Sequence, residues 1–382
     1  MRTERLLLAT TLYVYIPIEG PVLTKAKISR LYLIPILSKA MDILELLETE
    51  KKALTLEDIF QRVNISKTSV YRILKTFVHR GYLAQSQDGR YRAAARPKKV
   101  RFGFASQSVT MPFSEAVTAS LRSAATNSGI ELVVIDNKYD PEVALRNAEE
   151  FVGKGVDLVI EFQIDEHVAP LIGHTLSSAG IPVIAIDIPH PHATYFGVDN
   201  FQVGFEAGEL LAQHAIDQWK GKPDWIVGLD IAEAGSFVQS RITGVFQGVR
   251  SRLPQLSSDR FIRLEGGGLR QRSYQVTAGF LRNHKKQRIL IAAATDTSVL
   301  GALQAVREAG AEKMVAAVGQ DCIPEVLEEM RSGGDCLIGS VSHEAHTYGP
   351  RLIQLGLAIL RGSAVPPYNF VHHKLVTPAS LK

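Results

Sequence analysis

The 382-residue chain carries 43 Lys and Arg against 39 Asp and Glu, with 46% hydrophobic and 21% charged residues. That balance is ordinary for a soluble globular protein, and the length calls for two or three domains rather than one. The two cysteines, Cys322 and Cys336, have no metal-ligand spacing and read as reduced, buried thiols of a cytosolic protein, not as a disulfide framework.

Residues 1–30 open with Arg2 and Arg5 followed by the apolar run LLLATTLYVYIPI, a pattern similar to the first parts of a secretory signal. Pro17 and Gly20 interrupt it, no small-x-small cleavage site follows, and it is too short and broken for a membrane span. The expected explanation is an extension upstream of a natural start nearer Ile28–Leu33.

Residues 31–95 read as a winged helix-turn-helix. A helix over Ser38–Glu48 is expected to turn Met41, Ile43, Leu44, Leu46 and Leu47 inward. Thr55 with Asp58 three residues on signals a capped helix start, and Val63-Asn64-Ile65 makes a turn. Ser66 can cap a second helix whose apolar positions are Val70, Ile73, Leu74, Phe77 and Val78. At about 100° per residue, Lys67, Thr68, Tyr71, Arg72 and Lys75 fall on the opposite face.

Cations and hydroxyls on the outer face of a short second helix suit the DNA major groove, where they reach phosphates, guanine edges and thymine methyls. Gly81 ends the helix in a left-handed turn. The segments flanking Asp88-Gly89 form a hairpin wing that places Arg90 and Arg92 against backbone or minor groove. From Ser66 to Arg101 there are ten Lys and Arg and one acid, Asp88, so this stretch is +9 while the whole chain is +4. Such a local patch is the electrostatic footprint of a nucleic-acid binder. The segments LSKAMDILELLE, SKTSVYRILKTFVHRGYL and DGRYR, within Leu37–Ala94, closely resemble the winged-helix domain of IclR-type transcriptional regulators. That resemblance implies binding to double-stranded operator DNA by a dimer or higher oligomer.

Residues 96–99, Arg-Pro-Lys-Lys, form a short, basic connector stiffened by proline. From 100 to 382 the pattern is α/β. Apolar, β-branched runs at Val100–Phe104, Glu131–Ile135, Val156–Phe162 and Ile181–Asp187 alternate with helices and read as buried parallel strands. A second set runs through Trp225–Leu229, Arg260–Leu264, Ile289–Ala293, Val315–Val318 and Leu337–Val341. Two sets of similar size predict two lobes with a cleft between them. Ligands in such sheets bind beyond the carboxyl ends of the strands, which nominates Gln107, Gln163, Asp187, Thr295, Asp321 and His343, with Phe113 to cover an apolar sugar face.

This half resembles the ribose-binding type of periplasmic sugar-binding protein (type I), also the effector domain of LacI-type repressors. The resemblance is carried by Met111–Phe113, Val183–Asp187, Gly197–Asn200, Arg241–Val249, Thr295–Leu303 and Val318–Asp321. It implies that Phe113 stacks on a sugar and that Asp187 and Asp321 bind hydroxyls. Thr295 stands where the family usually has Asn, His343 where it often has Gln, and Gln239 lies near a ligand-binding Arg. Ile188 follows Asp187 where ribose binders have Arg, so a sugar, sugar acid or polyol other than ribose is expected.

His190-Pro-His192 and His343–His346 lack metal-site spacing, and Gly266–Gly268 lacks the Lys-Ser/Thr of a phosphate loop. No cofactor, metal, catalytic residue or membrane partner is expected. The sequence points to a cytoplasmic, ligand-responsive transcription factor acting as a homodimer. Two rivals stand beside it: an exported sugar-binding receptor, suggested by the apolar N-terminus, and an α/β enzyme with a DNA-binding head.

Overall fold

The computed structural model describes residues 34–50, 52–94, 99–333 and 336–381. The expected extension 1–30 and most of the 96–99 connector lie outside the described residues. The chain divides into two compact units, residues 1–99 and 100–382.

The first unit contains α1 (Pro35–Thr49), α2 (Leu56–Phe60), α3 (Lys67–His79) and the strands β1 (Leu83–Gln85) and β2 (Tyr91–Ala93). Thr55 and Asp58 close a reciprocal cap on α2: Thr55 Oγ1 accepts from the Asp58 amide at 3.1 Å, and Asp58 Oδ2 from the Thr55 amide at 2.9 Å. Ser66 caps α3 through the Ser69 amide at 3.2 Å. Gly81 (φ +75°) and Gly89 (φ +81°) supply the left-handed backbone that ends α3 and turns the wing. Leu54 pairs with Tyr91 and extends the hairpin. Ile43, Leu47, Ile59, Val70, Leu74, Leu83 and Tyr91 form the core. Met41 departs from the expected inward stripe. It is 45% exposed, on the same helix as the exposed Ile36 and Leu37.

The second unit begins with β3 (Arg101–Ser106), α4 (Pro112–Asn127), β4 (Glu131–Asp136), α5 (Pro141–Lys154), β5 (Leu158–Glu161), α6 (Ala169–Ser178), β6 (Val183–Ile186) and β7 (Thr194–Gly197). The chain then crosses to α7 (Asn200–Trp219), β8 (Trp225–Asp230), α8 (Gly235–Arg252), β9 (Phe261–Glu265), α9 (Arg270–His284), β10 (Ile289–Ala293), α10 (Asp296–Glu308), β11 (Val315–Gln320), α11 (Pro324–Arg331) and β12 (Leu337–Ser342). It returns for α12 (Tyr348–Leu360) and β13 (Tyr368–Phe370), and crosses again for β14 (Lys374–Val376).

Two six-stranded sheets result, in the orders β13-β7-β6-β5-β3-β4 and β14-β12-β11-β10-β8-β9. Every pairing in them is parallel except β12 with β14. Each sheet is the centre of a lobe, and three chain crossings join the lobes. The central strands are buried along their length, as β-branched runs covered by helices on both faces should be.

The α7–α8 pair shows how the second lobe is held. Gly204 and Gly208 on α7 face the backbone of Arg241 and Val245, while Gly244 and Gly248 on α8 face the backbone of Phe201 and Phe205. A Cβ at any of the four would overlap a carbonyl oxygen, so the two helices pack backbone to backbone.

Candidate functional site

Between the lobes lies a cleft whose empty space, open mouth included, is about 630 Å³. Its lining comes from strand ends and the turns after them, the location expected for a doubly wound sheet. Asp187 follows β6, Gln163 follows β5, Thr295 and Thr297 follow β10, and Asp321 follows β11. Phe113, on the first turn of α4, is held edge-on by Phe162, His343 and Tyr348 at ring distances of 5.7–6.3 Å, leaving it to wall the cleft.

Asp187 sits at φ +61°, a conformation Asp tolerates better than most residues. Its amide donates to Phe196 O at 3.1 Å, while its buried Oδ1 finds no hydrogen-bond partner among the described residues. Burial pushes this carboxyl up to about 6, against the pull of Arg241. Asp321 is raised well above its ordinary value by burial, and further by the neighbouring Asp296. Asp296 lies behind the cleft, accepting from the Ser340 hydroxyl at 2.7 Å and the Ile323 amide at 2.9 Å, and burial lifts it to about 7.

His343 is buried behind this surface and does not line the cleft. Gln320 Nε2 donates to Val203 O, so its Oε1 accepts from His343 Nε2–H at 2.9 Å. The Nδ1 lone pair therefore faces Asp321 Oδ1, 3.4 Å away. Burial and the Arg241 charge hold His343 well below its usual pKa, so it is neutral. A proton on Asp321 suits that lone pair, in keeping with its raised pKa.

Gln163 accepts from the Asp165 amide at 2.5 Å, leaving its buried Nε2 without a partner among the described residues. Thr295 faces the cleft while capping α10 through the Ser298 amide at 3.2 Å. Gln239 does not line the cleft; its backbone carbonyl accepts from Arg263 and Thr243. Two helical residues apart is about 200° around the axis, and the side chains that reach the cleft from α8 are Val238 and Arg241. Arg241 is the residue that sequence reasoning missed. It is 4% exposed and stands on the stripe of Val238, Ile242, Val245 and Val249, where an isolated cation signals a partner.

Among the described residues, two hydrogen bonds join the lobes. Tyr139 OH donates to Gly267 O at 2.9 Å, and the Glu166 amide donates to Glu233 O at 2.9 Å. Tyr139 lines the cleft from a turn at φ +57°.

In the first unit, Ser66, Lys67, Thr68, Tyr71, Arg72, Lys75, Arg90 and Arg92 are all exposed. Lys67 pairs with Glu57, and Arg90 with Asp88 at 3.1 Å. Lys75 donates to Gln85 of the wing at 2.8 Å and lies 5.7 Å from the Tyr71 ring centre. These are solvent-exposed contacts of modest strength, exchangeable for phosphate.

The periplasmic binding protein domain matches residues 102–364, and the IclR helix-turn-helix domain matches residues 36–87. The chain belongs to the periplasmic binding protein family, with an IclR-type helix-turn-helix at its N-terminal side. It is 25% identical over 259 residues to the galactofuranose-binding protein YtfQ of Escherichia coli K12, covering 63% of this chain and 76% of that protein. To the ribose import binding protein RbsB of Haemophilus influenzae it is 24% identical over 260 residues, 66% of this chain and 83% of that one.

Among solved structures, a myo-inositol binding protein from Caulobacter bound to myo-inositol superposes with a TM-score of 0.66 at 19% identity. That match covers 75% of this chain and 96% of the other. A periplasmic solute binding protein from Actinobacillus succinogenes with bound D-allose gives 0.65 at 20%, over 74% and 99%. At these identities the structural likeness establishes the fold. Among the described residues, no helix is long and apolar enough to cross a membrane.

Proposed function

We propose that the protein is a cytoplasmic transcriptional regulator whose winged helix binds operator DNA and whose interlobe cleft binds a sugar, sugar acid or polyol effector. The observation that carries this reading is one chain holding both an exposed cationic helix and a cleft with polar groups from two lobes. Asp187 belongs to the first lobe, and Asp321 and Arg241 to the second. Hydroxyls of one ligand can bond all three, so binding favours closure.

Curated relatives named as galactofuranose- and ribose-binding proteins support a polyhydroxy ligand. The +9 stretch between Ser66 and Arg101 supports DNA as the other partner. A homodimer on a near-palindromic site fits closed twofold symmetry, and the exposed Ile36, Leu37 and Met41 of α1 offer apolar surface for a second copy. The effector shifts operator affinity by its differential affinity for the two states and by no more. The cleft binds its ligand without turning it over.

The test combines a thermal-shift screen of sugars and sugar acids with a gel shift on DNA upstream of the protein's own gene. A ligand at a hundredfold excess over its Kd should stabilise by about 2.7 kcal/mol, and the same ligand should change the DNA affinity. A stabilising sugar with no effect on DNA binding at any salt concentration would remove the regulatory reading.

A further inference from the structure

The cleft has an apolar side. Ile188, at the turn after β6, meets Ile231, Ala234 and Val238, at the turn after β8 and on α8, in one buried cluster. All four line the cavity while being only 2–8% exposed. Ile188 immediately follows Asp187, and both line the cavity, so the polar and apolar sides of the cleft adjoin.

The acceptors near the cluster each already hold a hydrogen bond. Ile188 O accepts from His190 Nδ1 at 2.8 Å, and Ile186 O from the Ile188 amide at 2.7 Å. Ala294 O accepts from Arg241 Nη1 at 2.5 Å, and Ile231 O from the Ala234 amide at 3.3 Å. Asp230 Oδ1 accepts from the Ile231 amide at 2.9 Å. A hydroxyl lodged here would lose its water and gain little in return, whereas a methyl or methylene group would simply be buried.

We infer that Ile188, Ile231 and Val238 form a subsite for an unhydroxylated carbon, and that the effector is a deoxy sugar or another methyl-bearing polyol. This rests on the cleft being a sugar site, as proposed above, and assigns its selectivity. The polar groups hold the hydroxylated edge of the ring, and the apolar cluster takes the edge from which one hydroxyl is missing. A purely apolar pocket rejects an added hydroxyl by up to about a hundredfold, which sets the scale of the preference.

The full chain should be titrated calorimetrically with matched pairs: D-fucose and D-galactose, L-fucose and L-galactose, L-rhamnose and L-mannose, and 2-deoxy-D-ribose and D-ribose. In the pair that binds best, the deoxy member should bind roughly ten- to a hundredfold tighter. Val238→Thr, nearly the same shape, should narrow that gap at least threefold by offering the extra hydroxyl a partner. A melting curve checks that the variant folds, and Ile231→Thr serves the same purpose should Val238→Thr not fold. Parent sugars binding as tightly as their deoxy partners would overturn the subsite and leave the sugar site standing. An unchanged gap in a folded variant would also overturn the subsite. Failure of these sugars to bind, and of every sugar acid and polyol in the thermal-shift screen, would overturn both readings.

Discussion

Asn200 Oδ1 accepts hydrogen bonds from both Nε and Nη2 of Arg241, at 3.0 and 2.7 Å. Asn200 opens α7 just after the chain crosses from β7, so the crossing itself fixes the cleft guanidinium. Gly204, one turn on, admits the Arg241 backbone. Asn200→Ala removes the acceptor and leaves part of a buried cation unpaired, a loss of about 1.5–3 kcal/mol for bonds to a charged group. The expected outcome is a lower melting temperature together with weaker effector binding, whereas Asn200→Asp should keep both close to the parent. Effector affinity unchanged in Asn200→Ala would show that Arg241 needs no such support.

Asp187→Asn preserves a side chain that tolerates φ +61° and removes the charge. Effector affinity should fall about tenfold to a hundredfold, the scale of charge-assisted hydrogen bonds. Operator affinity without effector should not move. Asp321→Ala, which removes the hydrogen-bonding carboxyl altogether, should lower effector affinity likewise. A normal effector affinity with a lowered melting temperature would mark either Asp as purely structural.

Protons should follow. Burial raises Asp187 to about 6, Asp296 to about 7 and Glu161 to about 8 in the folded protein. At these carboxyls the folded state binds more protons than the unfolded chain, so their contribution to stability falls as pH rises, at ~1.4 kcal/mol per unit for each group in its own window. That fall outweighs the opposite contribution of the buried His190 and His343. The loss begins near pH 4, where unfolded carboxyls ionise, and ends near pH 8. Melting scans in the absence of effector should therefore give higher stability at pH 5.5 than at pH 8. Hydroxyl donors from a ligand favour the ionised form of Asp187, so effector affinity should rise with pH through about 6 and proton release should accompany binding. Titration in buffers of different ionisation enthalpy measures that release. A stability that climbs steadily from pH 5.5 to 8 would contradict the buried-carboxyl argument.

Tyr139→Phe deletes the hydrogen bond to Gly267 across the lobes and little else. Closure should lose about 0.5–1.5 kcal/mol, seen as a roughly twofold to tenfold weaker effector affinity and a larger radius of gyration by solution scattering. An unchanged affinity and radius would show that this bond does not hold the lobes together.

On the DNA side, Arg72→Ala should cost about 1–3 kcal/mol on the cognate operator and relax specificity at one position. Lys75→Ala should weaken all sequences alike and flatten the salt dependence. If both variants bind DNA as the parent does in a gel shift, α3 is not the recognition helix.

The long buried strands were legible because their periodicity is local: Ile289–Ala293 was bounded to the residue, and Val183–Ile186 fell inside the expected run. The short strands β7, β13 and β14 were not. They have three or four residues each, and β13 and β14 owe their places to partners more than thirty residues away (β7 and β12). Arg241 was missed for a different reason. A family resemblance locates a motif, but only the phase of α8 says which of its polar residues turns inward. Tyr139 and the apolar cluster around Ile188 depend on turns that bring the lobes together, and no spacing in the sequence encodes that meeting.

The three crossings between lobes carry a consequence for how this chain can be cut and joined. Neither lobe is a continuous stretch: the first needs α12 and β13 from near the C-terminus, and β14 at the very end edges the second sheet. A single lobe therefore cannot be inherited or exchanged as a cassette. The winged helix is contiguous and ends before residue 100. Such a contiguous head can be exchanged as one segment while the binding domain stays intact, so a change of head requires far less genetic rearrangement than a change of lobe.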